Sequence, residues 1–208
     1  MNAPTNCALC PRLVGSRHAV VNGSGPLPAR VLIIAQNPGR EEEIAGYPLC
    51  EKGWSGSRVR DKLLPLAGLD PTAVRFENIA RCRPPRGKKG DLSLLPSEIA
   101  NCEPFLTAVI EACQPQIIVA VGAPALAWFL PKAKLTATHG QPQPWRGAVV
   151  IGMYHPAAAH PTRNPGLAQV MVEDWTRLGG FLKDKPTIGL GAYREVTTKD
   201  IQSFLERF

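Results

Sequence analysis

The chain has 208 residues, of which 44% are hydrophobic, and this length can bury one good-sized core without help from disulfides. Its 24 lysines and arginines outnumber 17 acidic residues, and the net charge of +7 favours a polyanionic partner over an acidic small molecule. The sequence shows neither the apolar run of a signal peptide nor that of a membrane span, so we expect a cytoplasmic, reducing location. Free thiols in such a place serve metals or chemistry more often than disulfides.

Four apolar runs rich in β-branched residues have the composition of strands that are buried on both faces. They are residues 30–36, 74–81, 116–122 and 148–154. Helical patterns alternate with these runs or follow them, at residues 57–67, 96–113, 123–130 and 167–182. The alternation predicts an α/β fold, a three-layer α/β/α sandwich with a central four-stranded parallel sheet.

The end of the chain carries one more helical pattern, which begins at Thr197 with a capping box completed by Asp200. We therefore expect a single domain of residues 1–208, with an additional C-terminal helical segment at about residues 184–208. Short Pro/Gly stretches, such as residues 83–90 and 141–144, have the composition of linkers.

Polar side chains lie at the ends of the predicted strands. Gln36 and Asn37 follow the first strand, Asn78 lies near the end of the second, and His155 follows the last. Ligands of parallel α/β sheets bind beyond the carboxyl ends of the strands. We therefore expect two amides and an imidazole to converge on one crevice.

Four cysteines have the spacing of a metal centre. Cys7 and Cys10 form a Cys-x-x-Cys pair, while Cys82 and Cys102 are single and have 19 residues between them. A pair and two single cysteines can complete the four-sulfur shell of an iron-sulfur cluster. A zinc site and unrelated buried cysteines are the alternatives that the residues leave open.

Taken in order, these segments resemble the uracil-DNA glycosylase superfamily, and most closely its iron-sulfur branch, family 4. In that branch a cysteine pair is followed by a Gly-Glu-x-Pro-Gly loop, an Asn-x-x-x-Cys-Arg-Pro-Pro segment, a fourth cysteine and a His-Pro-Ala loop. The matching parts of this chain are Cys7 and Cys10, residues 35–39, residues 78–85, Cys102 and residues 155–157. The resemblance covers most of the chain up to about Lys183.

The resemblance implies an enzyme of base excision repair that flips uracil out of DNA and hydrolyses its bond to deoxyribose. It implies a monomer that acts on single- or double-stranded DNA. It also favours a 4Fe-4S cluster on Cys7, Cys10, Cys82 and Cys102 over zinc.

The resemblance also implies roles for the residues at the strand ends. His155 would donate a hydrogen bond to the pyrimidine O2, with help from backbone N–H groups of the loop at Gln36 and Asn37. Asn78 would read the O4 and N3–H edge of the flipped base, because an amide offers one donor and one acceptor. Leu49 stands where the family has a phenylalanine that stacks on the base.

Gln36 is the main departure from the family, which has a glutamate at this position. A carboxamide can orient water but cannot deprotonate it. We expect Glu51 to supply the missing carboxylate, with residues 41–43 next, although residues 41–43 could simply be an acidic turn that opens a helix. A catalytically silent binder of uracil-containing or abasic DNA is therefore the second functional class. A cluster protein for electron transfer is a weaker third one.

The loop after His155 is expected to contact DNA. In the family, a residue a few positions past the His-Pro pair enters the minor groove, and His160 is the preferred wedge here. Pro156 and Arg163 are further expected contacts. Arg83, beside the third cysteine, is expected to provide positive charge for phosphate.

Overall fold

The protein is described by a computed structural model that covers residues 2–88, 90–160 and 162–183. The helix expected from Thr197 lies outside the described residues. Within these ranges, no helix combines the length and the apolar character that crossing a membrane would require.

The described elements alternate along the chain largely as the sequence pattern predicts. The helices are α1 (Pro11–Val14), α2 (Arg40–Ala45), α3 (Trp54–Ser57), α4 (Leu64–Leu66), α5 (Pro96–Cys113), α6 (Ala123–Phe129), α7 (Leu135–Thr138) and α8 (Pro165–Lys183). The strands are β1 (Val31–Ala35), β2 (Arg75–Asn78), β3 (Arg86–Gly87), β4 (Gly90–Asp91), β5 (Ile117–Val121), β6 (Pro142–Trp145) and β7 (Ala148–Met153). A π-helical turn joins α3 to α4, so the predicted helix at residues 57–67 is present as one continuous but irregular segment.

The central sheet has five strands in the order β2-β1-β5-β7-β6. The pairs β1–β2, β1–β5 and β5–β7 are parallel, which confirms the four predicted parallel strands. The fifth strand, β6, is antiparallel to β7 and lies at the edge of the sheet. The sequence pattern predicted a linker there because of its prolines, which cannot donate a hydrogen bond to a neighbouring strand. An edge strand tolerates prolines, since one of its sides is unpaired. Pro142 and Pro144 occupy such an edge.

Two apolar cores cover the two faces of the sheet, because successive side chains of a strand point to opposite sides. Ile33 and Val119 pack in the core that includes Trp175 of α8. Their neighbours Leu32 and Ile118 pack in the other core, with side chains of α5 and α6. This confirms the three layers. Burial of each large side chain contributes about 1.5–3 kcal/mol.

Arg81 is part of a buried ion-pair group at the end of β2. Glu77 is fully buried, and its Oε1 accepts from Arg75 Nη2 at 2.6 Å, while its Oε2 lies 3.4 Å from Arg81 Nη2. Arg81 also donates to the carbonyl of Phe105 at 3.3 Å. The Arg81 guanidinium therefore ties β2 to α5 and is not available to phosphate.

Candidate active site and cysteine centre

A cleft of about 550 Å³ opens at the carboxyl ends of the parallel strands β1, β5 and β7. This volume is in the range of small-ligand pockets, about 300–1,000 Å³. Gln36 and Asn37, Leu49, and His155 all line it. Three of the predicted strand-end residues, Gln36, Asn37 and His155, therefore line one cleft, together with Leu49.

The ring of His155 is oriented by a backbone hydrogen bond to its Nδ1. It follows β7 and lies against Gly122, where a Cβ would come within 3.5 Å of the His155 Cβ. Its Nδ1 accepts a hydrogen bond from the backbone N–H of Ala157 at 3.2 Å, which places the ring proton on Nε2. Burial lowers the pKa of His155. The side chain therefore offers an Nε2–H donor in a partly water-excluded cleft.

The loop after β1 is fixed by its own backbone. The carbonyl of Gln36 accepts from Ala80 N–H at 3.0 Å, so the loop continues the pairing of β1 with the end of β2. The Asn37 side chain donates to the Pro38 carbonyl at 3.0 Å. Gly39 then forms the N-cap of α2 in an extended conformation. These contacts hold Gln36 and Asn37 at the mouth of the cleft.

Glu42 joins the two segments that form one wall of the cleft. Its Oε2 accepts from Gly39 N–H at 2.6 Å, and its Oε1 accepts from Leu49 N–H at 2.5 Å. Leu49 adopts a positive φ of 48°, and its carbonyl accepts from Arg60 Nε at 2.6 Å. Burial raises the pKa of Glu42, while its two backbone hydrogen bonds oppose that effect. The carboxylate therefore fixes the turn that presents Leu49.

Asn78 lies at the end of β2 and does not line the cleft. The residue is 1% exposed, and among the described residues neither Oδ1 nor Nδ2 has a hydrogen-bond partner. The Asn78 amide lowers the pKa of Glu42, so the two side chains are neighbours. A buried polar group without a partner costs about 1–3 kcal/mol, so this amide has unused capacity to bind.

Glu51 is outside the cleft. Its Oε1 accepts from the Tyr47 hydroxyl at 2.7 Å on the surface, and this bond lowers the pKa of Glu51. The turn at Leu49 buries Leu49 and Cys50 and directs the next residue toward solvent. The structure therefore does not support Glu51 as the carboxylate for water. Glu41 and Glu42 line the cleft instead.

Arg83 is engaged by acidic side chains. Its Nε and Nη2 donate to the two Asp91 carboxylate oxygens at 2.6 and 2.7 Å, and its Nη1 lies 3.7 Å from Glu43 Oε2. The hydrogen bond to Asp91 raises the pKa of Arg83. The structure therefore does not support a phosphate contact by this guanidinium, because its charge is balanced within the protein.

The loop after His155 forms the opposite rim. Pro156 is buried and turns the chain, whereas Arg163 is exposed. His160 stacks on Trp54, with ring centroids 4.8 Å apart and an interplanar angle of 12°. Trp54 lines the cleft and was not among the residues that the sequence singled out. The sequence feature that could have identified Trp54 is its position between glycines, in a segment that is about two residues longer than the family form.

The four cysteines are free, with Cys10, Cys82 and Cys102 buried and Cys7 partly buried. Burial raises the pKa values of Cys82 and Cys102. Cys102 and Cys7 also raise the pKa of Cys82, and Cys10 and Cys7 also raise the pKa of Cys102. They are therefore electrostatic neighbours. Among the described residues, no three Cys, His, Asp or Glu side chains converge closely enough for one metal ion. A four-iron cluster does not require its ligands to converge on one metal ion, because each cysteine binds a different iron.

Two contacts dock the N-terminal cysteine pair on α5, which carries Cys102. Arg12 Nε and Nη2 donate to the Glu98 carboxylate at 2.8 and 2.6 Å. Asn101 Nδ2 donates to the Leu9 carbonyl at 2.9 Å and lies 3.5 Å from Cys10 Sγ. These contacts place the segment that carries Cys7 and Cys10 against the helix that carries Cys102.

Positive charge surrounds the third cysteine. Arg17 Nη1 donates to Cys82 Sγ at 3.0 Å, and its Nη2 donates to the Cys7 carbonyl. This contact lowers the pKa of Cys82 and opposes the effect of burial. Because metals bind thiolates, a guanidinium at this position suits a metal-binding sulfur better than a structural thiol.

A family model described as the uracil DNA glycosylase superfamily matches residues 23–177. The chain is 34% identical over 180 residues to the type-4 uracil-DNA glycosylase of Thermotoga maritima, which covers 85% of this chain and 90% of the relative. It is 29% identical to the type-4 enzyme of Saccharolobus solfataricus, over 86% of this chain and 83% of the relative. It is also 26% identical to a type-5 uracil-DNA glycosylase of Pyrobaculum aerophilum, over 76% of this chain and 80% of the relative.

Proposed function

The chain belongs to the uracil DNA glycosylase superfamily, and we propose that it hydrolyses the N-glycosidic bond of uracil in DNA as the first step of base excision repair. The observation that carries this proposal is the neutral His155, whose Nε2–H donor is available at a cleft large enough for one nucleobase.

His155 stabilises the leaving group. As the C1′–N1 bond breaks, its electron pair moves into the uracil ring, and negative charge develops at O2. The Nε2–H of His155 donates to that oxygen, and the fixed loop at Gln36 and Asn37 presents its backbone to the same charge. Removing one such donor typically raises the activation free energy by about 2.7–4 kcal/mol.

Base recognition is assigned to Asn78. Within the described part of the chain, its buried amide has a donor and an acceptor without hydrogen-bond partners, and these match the O4 and N3–H groups of uracil. Cytosine has an amino donor where uracil has the O4 acceptor, and an acceptor at N3 where uracil has a donor, so it mismatches the same amide. The cleft must open toward Asn78 for a base to reach this amide, because Asn78 does not line the cleft.

Water attack is assigned to Gln36 and a carboxylate from α2. Gln36 orients the water that adds to C1′, and the proton released from that water passes to solvent through Glu41. We favour Glu41 over Glu42, because both Glu42 oxygens already accept backbone hydrogen bonds. A sugar cation needs only modest help from a base, so an amide in place of the family's glutamate is compatible with turnover.

We further propose a 4Fe-4S cluster on Cys7, Cys10, Cys82 and Cys102. The buried free thiols, the arginine beside Cys82 and the names of the type-4 relatives support it. When bound, such a cluster would cross-link the N-terminal segment to the segment after β2 and to α5. The free cysteines also support a reducing, cytoplasmic location.

The direct test uses a labelled oligonucleotide that contains one uracil, followed by alkaline cleavage of abasic sites. The wild-type protein should release uracil, from single strands, duplexes or both, whereas a thymine oligonucleotide should stay intact. His155→Ala should lower the single-turnover rate about 10²–10³-fold with little loss of DNA binding, because the hydrogen bond strengthens only as charge develops. Failure of the wild type to excise uracil from any of these substrates would contradict the proposal.

A second candidate is a binder of uracil-containing or abasic DNA that does not turn over. The observation that favours it is Gln36, an amide that lines the cleft where relatives of family 4 have a carboxylate. The same assay separates the two functions, since the binder would retain the oligonucleotide without producing alkali-labile sites.

A further inference from the structure

The rim of the cleft carries an exposed aromatic ring that the mechanism does not use. Trp54 is 42% exposed, and among the described residues it is the one Trp, Tyr or Phe side chain that lines the cleft. A large aromatic side chain in water forgoes the gain of burying its apolar faces. An exposed ring at the mouth of a binding cleft therefore suggests a ligand that covers it.

The position of Trp54 is fixed by close backbone packing. Gly53 N–H donates to the Cys50 carbonyl at 3.0 Å, so the chain makes a tight turn directly before α3. A Cβ at Gly56 would lie 2.0 Å from the same carbonyl, which shows how tightly α3 packs on the turn at Leu49. The tryptophan is thus carried by a rigid segment.

His160 supports the ring from the other rim of the cleft. The two rings are 4.8 Å apart and nearly parallel, although they come from segments more than 100 residues apart in sequence. His160 is itself held, because its Nδ1 lies 3.0 Å from the Thr162 hydroxyl. Together the two side chains form an aromatic platform, which we define as Trp54 and His160.

One arginine lies close to the platform, and two more lie in its segments or along the cleft. The Arg58 guanidinium lies 5.7 Å from the centroid of Trp54, and Arg163 is exposed three residues after His160. Arg40 also lines the cleft, and its side chain is 72% exposed. Aromatic rings among cationic side chains form the usual surface for single-stranded nucleic acid, where bases stack and phosphates are neutralised.

We propose that the aromatic platform is a second base subsite, on which the nucleobase adjacent to the flipped uracil stacks. This inference rests on the proposed function. The platform lies at the rim, whereas the flipped base must reach Gln36 and His155 at the strand ends, so the platform receives a neighbour on the same strand. Stacking needs only a π-face, and the subsite therefore accepts any of the four bases.

The test uses a single-stranded oligonucleotide with a stable abasic analogue, flanked on either side by the fluorescent base 2-aminopurine. Binding of the wild type should quench one of the two flanking reporters. Trp54→Ala should abolish that quenching and weaken binding about tenfold, while Trp54→Phe should retain most of both. Leu66→Ala, which removes an apolar side chain of similar exposure outside the cleft, is the matched control.

Uracil excision is measured on the same preparations over a range of enzyme concentrations. Trp54→Ala should raise about tenfold the enzyme concentration that gives half of the maximal single-turnover rate, because the platform contributes to binding of substrate and transition state alike. If the wild type excises uracil but Trp54→Ala quenches and binds as the wild type does, the subsite is absent while the proposed function stands. If the wild type binds and quenches without excision, the proposed function fails and the subsite remains. Absence of quenching on both flanks in the wild type would overturn the inference.

Discussion

The Nδ1 atom of His155 accepts the backbone N–H of Ala157, two residues further along the same loop. This one hydrogen bond selects the tautomer, because a ring nitrogen that accepts cannot also carry the proton. The same hydrogen bond makes protonation of the ring unfavourable, since a proton added to Nδ1 would point at the backbone N–H of Ala157. Burial acts in the same direction and lowers the pKa of His155.

The rate of excision should therefore show no break at about pH 6.5, the ordinary histidine value, and the break caused by His155 should lie at a lower pH. At that lower pH, protonation of the ring removes the acceptor for Ala157 and disturbs the loop. The single-turnover rate as a function of pH is the measurement. A fall in rate centred at about pH 6.5 would show that His155 titrates as an exposed histidine.

The same lowered pKa affects stability. Above about pH 6.5 the ring is neutral in both the folded and the unfolded chain, so it contributes nothing to pH dependence. As the pH falls toward the folded pKa, the unfolded chain takes up a proton that the folded chain does not, and stability decreases. Urea unfolding of the wild type and of His155→Gln should show the wild type losing more free energy of unfolding between about pH 7.5 and about pH 5.5. The other histidines are common to both proteins and cancel.

The parallel strands and the residues at their ends were predictable because both follow from local rules. Buried parallel strands are continuous apolar runs, and polar side chains directly after them must lie at one edge of the sheet. The edge strand β6 carries prolines, and its pairing depends on the neighbour β7, which no local pattern indicates. Glu51 lies outside the cleft for a related reason, since its bond to Tyr47 forms around a turn whose left-handed residue, Leu49, no local pattern indicates.

Contacts between distant segments account for the remaining differences. Arg83 looks like a phosphate ligand in the sequence, but in the folded chain it pairs with Asp91 and lies 3.7 Å from Glu43 of α2. The stack of Trp54 on His160 likewise joins two loops that sequence spacing does not connect. Charge and aromatic content can be read from a sequence, whereas the partner that satisfies each group requires the tertiary structure.

Protein purified without oxygen should be brown and contain iron and sulfide. Cys82→Ala and Cys102→Ala should lose the colour, because each removes one of four ligands, and should lower the thermal midpoint. Cys113→Ala and Cys50→Ala are controls of the same chemistry at buried cysteines outside the ligand set, and their visible absorption should match the wild type. Metal analysis that finds stoichiometric zinc and a colourless protein would instead establish a zinc site.

Glu98→Gln should loosen the N-terminal cysteine pair. The substitution removes the charge that Arg12 pairs with at 2.6 Å on a carboxylate with only 4% exposure, and the expected loss is about 1–3 kcal/mol of unfolding free energy. The pKa of Glu98 is lowered by its hydrogen bond with Arg12, so this stability is present above about pH 4.3 and is lost as the pH falls through the folded pKa. Iron loss to a chelator should be faster in the variant. Glu103→Gln, on the exposed face of the same helix, should behave as the wild type.

The last prediction concerns the carboxylate that assists water. Glu51→Gln should leave the single-turnover rate unchanged, because Glu51 bonds to Tyr47 outside the cleft, whereas Glu41→Gln should lower the rate about tenfold. Gln36→Ala should be milder than His155→Ala, since orienting water contributes less than stabilising the leaving group. Gln36→Glu is the decisive variant. A substantial rise in rate would show that the native amide limits catalysis and would favour the binding function, while a fall would show that Gln36 and Glu41 form an arrangement in which a second carboxylate is harmful.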